Sequence, residues 1–130
     1  MYLQLKISPP ISDEDLNSLM ISIWDDHKPK SFKNVLSRSL LYICAYIEHH
    51  KLVGYVNIAW DGDEHAFLLD TSVHKEFWRQ GIGTKLVLKA INEVKIRQIK
   101  WLHVDFQQHL KDFYENCGFA HTFAGIIRLN

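Results

Sequence analysis

A chain of 130 residues, 47% of them hydrophobic, is long enough to bury a core without disulfides or metal. Lys plus Arg and Asp plus Glu number 15 each, so the formal net charge is zero and the basic excess of a general nucleic-acid binder is absent. No stretch reaches the roughly 18 apolar residues of a membrane span, and Cys44 and Cys117, both in apolar-patterned segments, read as core thiols rather than a disulfide framework.

The opening MYLQLKIS shows no long apolar run and no cleavage-like site, so no secretory leader is expected and the cytoplasm is the expected compartment. Leu3, Leu5 and Ile7 alternate and predict a strand that Pro9 and Pro10 stop. Ser12 is placed to cap a helix, with Asp15 three residues on. Leu16, Leu19, Met20, Ile23 and Trp24 follow at helical spacing. DDHKPKSFKN is a polar loop, with a short helix expected over 32–38. Lys28, Lys30 and Lys33 in it read as a solvated face.

LLYICAYIEHH and KLVGYVNIAW are rich in β-branched and aromatic residues, which suggests a hairpin around His49 and His50. DGDE carries an Asp-Gly turn, and HAFLLDTSV is the third strand of a meander. From Ile82 the apolar positions 82, 86, 87, 90, 91 and 94 mark an amphipathic helix. KWLHVDF reads as a strand. Leu110, Phe113, Tyr114 and Cys117 predict a short helix with Gly118 just past its end. GIIRL reads as a last strand. The order β-α-(α)-β-β-β-α-β-α-β implies one α+β domain over 1–130, a central mixed, mostly antiparallel sheet flanked by helices.

Between meander and amphipathic helix lies FWRQGIGTKLV, where two glycines open a helix. Free N–H groups and the helix dipole make such a start receptive to phosphate. Two glycines alone fit a tight strand-to-helix turn equally well. The stretch lacks the Walker G-x-x-x-x-G-K-[ST] pattern, and the third glycine of a dinucleotide fingerprint is missing.

VHKEFWRQGIGTKLV, from Val73 to Val87, resembles the acyl-CoA-binding motif of the GCN5-related N-acetyltransferases, R/Q-x-x-G-x-G/A at the start of a helix. HLKDFYENCGF, from His109 to Phe119, is similar to the family's late A-x-x-F-Y-x-x-x-G-F segment. AWDGDEHAFLLDTSVH resembles a small uncharacterised bacterial branch. Two motifs in the right order are far more specific than either alone. Two departures stand out. Trp78 falls where the family's first Arg or Gln belongs, and Gln107 stands where relatives often carry Asn.

The resemblance implies an acetyl-CoA-dependent N-acetyltransferase, with acetyl-CoA as co-substrate and a small-molecule or peptide amine as acceptor. A monomer and a homodimer are both compatible with it. No membrane or nucleic-acid partner is expected. On the same basis Thr71, Ser72 and Val73 run beside the pantetheine, while Arg79, Gln80, Gly81, Ile82, Gly83 and Thr84 cradle the pyrophosphate. Gln107 and Tyr114 complete the cofactor set, and Tyr114 protonates the departing thiolate.

The general base stays open among Asp70, His109, His65 and a water chain. His103, Asp105 and His109 in HVDFQQH read as a hydrogen-bonded network, since no recognised metal pattern occurs. Trp24, Phe32, Tyr46, Tyr55 and Trp60 are aromatic candidates for the acceptor pocket. The alternative function is an acyl-CoA-binding or regulatory module without turnover, which Trp78 motivates.

Overall fold

The computed structural model describes residues 2–130. Five strands form one sheet in the order β1-β2-β3-β4-β5: β1 Gln4–Ile7, β2 Leu41–Ile47, β3 Lys51–Trp60, β4 His65–Val73 and β5 Trp101–His103. The first four are antiparallel neighbours, and β5 alone is parallel, to β4. Helices α1 Asp13–Ile23, α2 Lys33–Arg38, α3 Ile82–Ile96 and α4 Lys111–Asn116 fill the connections, matching the expected order.

Local chemistry explains the joints. The Asp15 N–H donates to Ser12 Oγ at 3.1 Å and so caps α1. Asp61 Oδ1 accepts from the N–H groups of Asp63 and His65, closing the Asp-Gly turn between β3 and β4. His49 and His50 both adopt positive φ where β2 turns into β3. Helix α4 ends in a Schellman turn: Gly118 at φ 112° donates to the Glu115 carbonyl, and the Phe119 N–H to the Tyr114 carbonyl.

Alternation along the strands divides the core in two. Leu41, Ile43 and Ala45 of β2 face α3, against Ile82, Leu86, Val87, Ala90 and Val94. Cys44 faces the other way, into a cluster of Leu16, Leu19, Met20, Phe32, Leu52 and Tyr55 beneath α1 and α2. Cys117 belongs to the α3 cluster, so the two free thiols lie on opposite sides of the sheet. Burial pushes the Cys44 thiol up to about 12. Among the described residues no helix is long and apolar enough to cross a membrane.

Two expectations need correction. The strand predicted at KWLHVDF stops at His103, so Asp105 lies beyond it. The closing strand expected at GIIRL is not formed; residues 119–130 carry no regular element and pair with no strand. Alternating apolar residues do not make a strand unless a neighbouring edge receives them.

Helix α3 sits close on the sheet because Gly54 has no side chain. A Cβ there would lie 2.8 Å from Leu86 Cδ1 and 3.1 Å from Ala45 Cβ. Gly54→Ala is expected to cost about 1–3 kcal/mol through overpacking, read as a lower urea midpoint with the slope of the transition unchanged.

Candidate active site

β4 and β5 pair over only three residues, His65–Phe67 with Trp101–His103. β4 then continues to Val73 while β5 has ended. The opened gap is a cleft of about 500 Å³. Its walls are Thr71–Val73 of β4, the start of α3, and Leu110, Phe113 and Tyr114 around α4. Ile23 and Trp24 close it at the end of α1.

The turn into α3 is shaped by backbone conformation. Arg79 and Gly81 adopt φ of 65° and 81°. The first intrahelical bond runs from the Lys85 N–H to the Gly81 carbonyl. The N–H groups of Ile82, Gly83 and Thr84 therefore lack carbonyl partners within the helix. A Cβ on Gly83 would stand 3.5 Å from Phe113 Cζ and 3.7 Å from Val73 Cγ2, between the walls of the cleft.

Tyr114 is buried among aromatics, stacked on Phe106 at 5.0 Å and edge-on to Phe113 and Phe119. Its hydroxyl points at Thr71 Oγ1, 3.5 Å away, the outer limit of a hydrogen bond. Burial pushes this phenol above its ordinary value, and the Thr71 contact opposes the shift. It is protonated across the neutral range.

A bulge in β4 shapes the neighbouring space. The β3–β4 register shifts between Tyr55 and Asn57, leaving Asp70 and Thr71 opposite Val56. Asp70 takes φ 59° there and turns out of the ladder. It lines a smaller pocket of about 170 Å³ with Met20, Trp24, His27, Lys30, Phe32 and Tyr55. Trp24 and Ser72 border both pockets. The Tyr55 hydroxyl is buried there without a hydrogen-bond partner; burial, and less so the Asp70 charge, pushes its phenol up.

Thus Thr71, Ser72, Val73, Arg79, Gly81, Ile82, Gly83, Thr84 and Tyr114 come together around one cleft. Gln80 is in the turn but exposed, outside the lining. Gln107 heads a 3-10 turn, its carbonyl accepting from the Leu110 N–H, and His109 sits exposed within that turn; neither lines a pocket. The network expected of His103, Asp105 and His109 is replaced by another. His103 Nε2 lies 2.7 Å from His65 Nδ1, and its ring stacks on Phe67, because β5 pairs in register with the start of β4. Among the described residues no three His, Cys, Asp or Glu gather to hold a metal.

Trp24, Phe32 and Tyr55 line the smaller pocket. Tyr46 packs on the α1 cluster instead, and Trp60 is exposed at the far end of β3. Lys28, Lys30 and Lys33 are exposed, as a solvated face requires, and Lys30 also places its Nζ 5.0 Å from the Phe32 ring centre, beside the pocket.

Three features escaped the sequence reading. Asn17 binds the Lys30 N–H and carbonyl and the His27 ring, and Asp13 Oδ1 accepts from the Phe32 N–H. The two residues clamp the loop that walls the smaller pocket. Their polar positions on α1 were visible, but their partners 10 to 19 residues away were not. Trp78 donates its indole N–H to the Val73 carbonyl at 2.6 Å, across the cleft mouth.

Comparison with known proteins supplies relatives. A family model described as the Acetyltransferase (GNAT) family matches residues 11–119. The uncharacterized N-acetyltransferase ycf52 of Gracilaria tenuistipitata var. liui is 24% identical over 126 residues, covering 94% of this chain and 69% of the relative. Among solved structures, a GNAT-family acetyltransferase from Streptococcus pneumoniae TIGR4 superposes with a TM-score of 0.82 at 24% identity, over 99% of this chain and 98% of that one. AAC(6')-Iy, solved with the bisubstrate analogue CoA-S-monomethyl-acetylneamine, gives 0.77 at 13% identity over 100% and 99%.

The loop clamp can be tested apart from any chemistry. Asn17→Ala removes both backbone bonds to Lys30, and a loss of about 1–3 kcal/mol is expected from those unmade bonds. Chemical denaturation reads that loss, and faster amide exchange over residues 25–32 localises it.

Proposed function

The chain belongs to the acetyltransferase (GNAT) family, and from that premise we propose that it transfers acetyl from acetyl-CoA to an amine of a small molecule or peptide, by direct attack with both substrates bound. One observation carries the proposal. The end of β4 that extends past its pairing with β5, the glycine turn of α3 and the protonated Tyr114 hydroxyl meet in a single cleft.

The cleft suits an acyl-CoA. Free amides at the start of α3 favour an anion, Arg79 adds a cation at the lining, and Gly83 leaves open the space a side chain would fill. Arg79, Gly81, Ile82, Gly83 and Thr84 would hold the pyrophosphate, with Gln80 contributing its backbone alone. Thr71, Ser72 and Val73 would lie along the pantetheine. When bound, acetyl-CoA supplies an activated thioester. Tyr114 holds a proton at its hydroxyl for a departing thiolate, and Thr71 orients that hydroxyl. Gln107 and His109 are left without a role at the reacting atoms.

The acceptor amine would enter through the smaller pocket. Phe32 and Trp24 offer an aromatic wall, and the unpartnered Tyr55 hydroxyl offers a hydrogen bond. Asp70 turns toward the same space, which makes it the side chain best placed to take the amine's proton. Binding without turnover is the second reading, and Trp78 favours it: a neutral indole stands where the family motif has Arg or Gln and engages the Val73 carbonyl. Screening amines and peptides for acetyl-CoA-dependent release of thiol separates the two, since any turnover removes the second.

Gly83→Val fills the cleft and is expected to abolish CoA binding in calorimetry with the fold retained; undiminished affinity would sink the phosphate assignment. Tyr114→Phe should lower kcat roughly ten- to ten-thousand-fold, the range of a general acid, while acetyl-CoA still binds. Because burial raises this phenol, the limb of the kcat profile that it controls falls only as pH climbs past the usual tyrosine range, and the variant lacks it. Asp70→Asn is expected to lose kcat/KM most at the acid end of the profile. Full activity across pH 6–9, a window below the usual lysine range, would eliminate Asp70 as the base.

A further inference from the structure

The smaller pocket carries charges of both signs that no ion pair within the chain neutralises. The ion pairs among the described residues join Lys89 and Arg97 to Glu93, and Lys111 to Glu115. Asp70 and Lys30 both line the pocket and belong to none of them. Asp70 is turned out of the β4 ladder by its positive φ. The main chain of Lys30 makes two hydrogen bonds with the Asn17 amide, and its ammonium lies over the Phe32 ring. Attraction to the ring face favours keeping that cation beside the pocket.

A third group adds to the demand. Tyr55 is 1% exposed, and its hydroxyl has no hydrogen-bond partner. Burial keeps the phenol protonated across the neutral range, so it is an O–H donor without an acceptor. An occupant that brings an acceptor oxygen relieves that unmet bond. Two of the three groups therefore call for anionic oxygen, and one calls for an ammonium. A single lysine charge matches a monoanion, whereas a phosphate monoester near neutral pH carries about 1.5–2 negative charges. The volume of about 170 Å³ lies below the roughly 300 Å³ at which pockets for drug-sized ligands begin. Both charges of the occupant thus belong to one small molecule.

We propose that the acceptor is a free amino acid, its ammonium facing Asp70 and its carboxylate taken by the Lys30 ammonium and the Tyr55 hydroxyl. The assignment rests on the acetyl-transfer reading, and it narrows the acceptor from amines and peptides at large to amino carboxylates. A simple amine lacks the carboxylate, and a peptide N-terminus has an amide in its place. Either one leaves the lysine without a counter-charge, which is the basis of the discrimination. Trp24 and Phe32 then wall the side chain of the amino acid and favour an apolar one.

The probes are apolar L-amino acids, each set against its own carboxamide and its decarboxylated amine, with aminoalkyl phosphates as a further arm. Calorimetry on the CoA-saturated chain reads binding, and thiol release from acetyl-CoA reads turnover. An apolar amino acid is expected to bind, with kcat/KM about tenfold or more above its carboxamide and its decarboxylated amine, the worth of one charge-assisted bond. Lys30→Gln should raise KM for the amino acid about tenfold and shrink its preference over the decarboxylated amine by the same factor, and Lys30→Arg should restore both. The Lys30 side chain is exposed and its main chain stays tied to Asn17, so the variants keep the fold. Equal use of the three probes, a preference for aminoalkyl phosphates, a preference indifferent to Lys30→Gln, or no calorimetric binding by any amino acid would overturn the proposal. Thiol release without the carboxylate preference overturns it while acetyl transfer stands. Amino-acid binding with no thiol released from any acceptor would instead sink acetyl transfer and leave the pocket assignment standing.

Discussion

β4 and β5 share three residues of pairing and then separate, and the rest of the site depends on that parting. Backbone donors and acceptors removed from water must find partners. Along Thr71–Val73 the partner strand on one side is β3, and on the other side there is none. The sheet thus presents main-chain groups to a cleft in the middle of a folded protein. Helix α3 begins at the same place, with its own unpartnered amides. A ladder and a helix start, each left incomplete, face one volume.

Much of this order was legible in the residues. Ser12, the Asp61–Gly62 turn, the stripe of α3 and the Gly118 cap depend on neighbours within a few positions, and each formed as its chemistry dictates. The missed features are nonlocal. Asp70 turns out of β4 because of a bulge against β3, and a one-residue register shift leaves no mark on the alternation of HAFLLDTSV. His103 pairs with His65, 38 positions away, because β5 aligns with the start of β4. GIIRL has the pattern of a strand, but pattern names a preference while pairing needs an edge. Trp78 read as a departure from the motif's Arg or Gln; its indole donor became visible only once the Val73 carbonyl was located.

The end of α1 divides the working volume. Trp24 borders both pockets, so one indole is a wall to each. Its backbone is held by α1, whose N–H to carbonyl bond from Trp24 to Met20 closes the helix. The loop beyond it is fastened to the same helix by Asn17 and Asp13. Helix α1 is therefore a shared frame: the larger cleft and the smaller pocket keep a constant separation because one rigid element bounds both. Ser72, bonded to the Asp70 carbonyl, is the corresponding element in the sheet.

The Schellman turn at Gly118 carries one more implication. Its bonds return to the carbonyls of Glu115 and Tyr114, and the Phe119 ring leans edge-on against Tyr114. Residue 119 is thus both the root of the projecting segment and a cushion for the phenol in the cleft. Tension on the segment would be delivered first to this short lever, whose fulcrum is a left-handed glycine. The same two-residue joint that sets the heading of the departing chain also holds the orientation of the ring behind it.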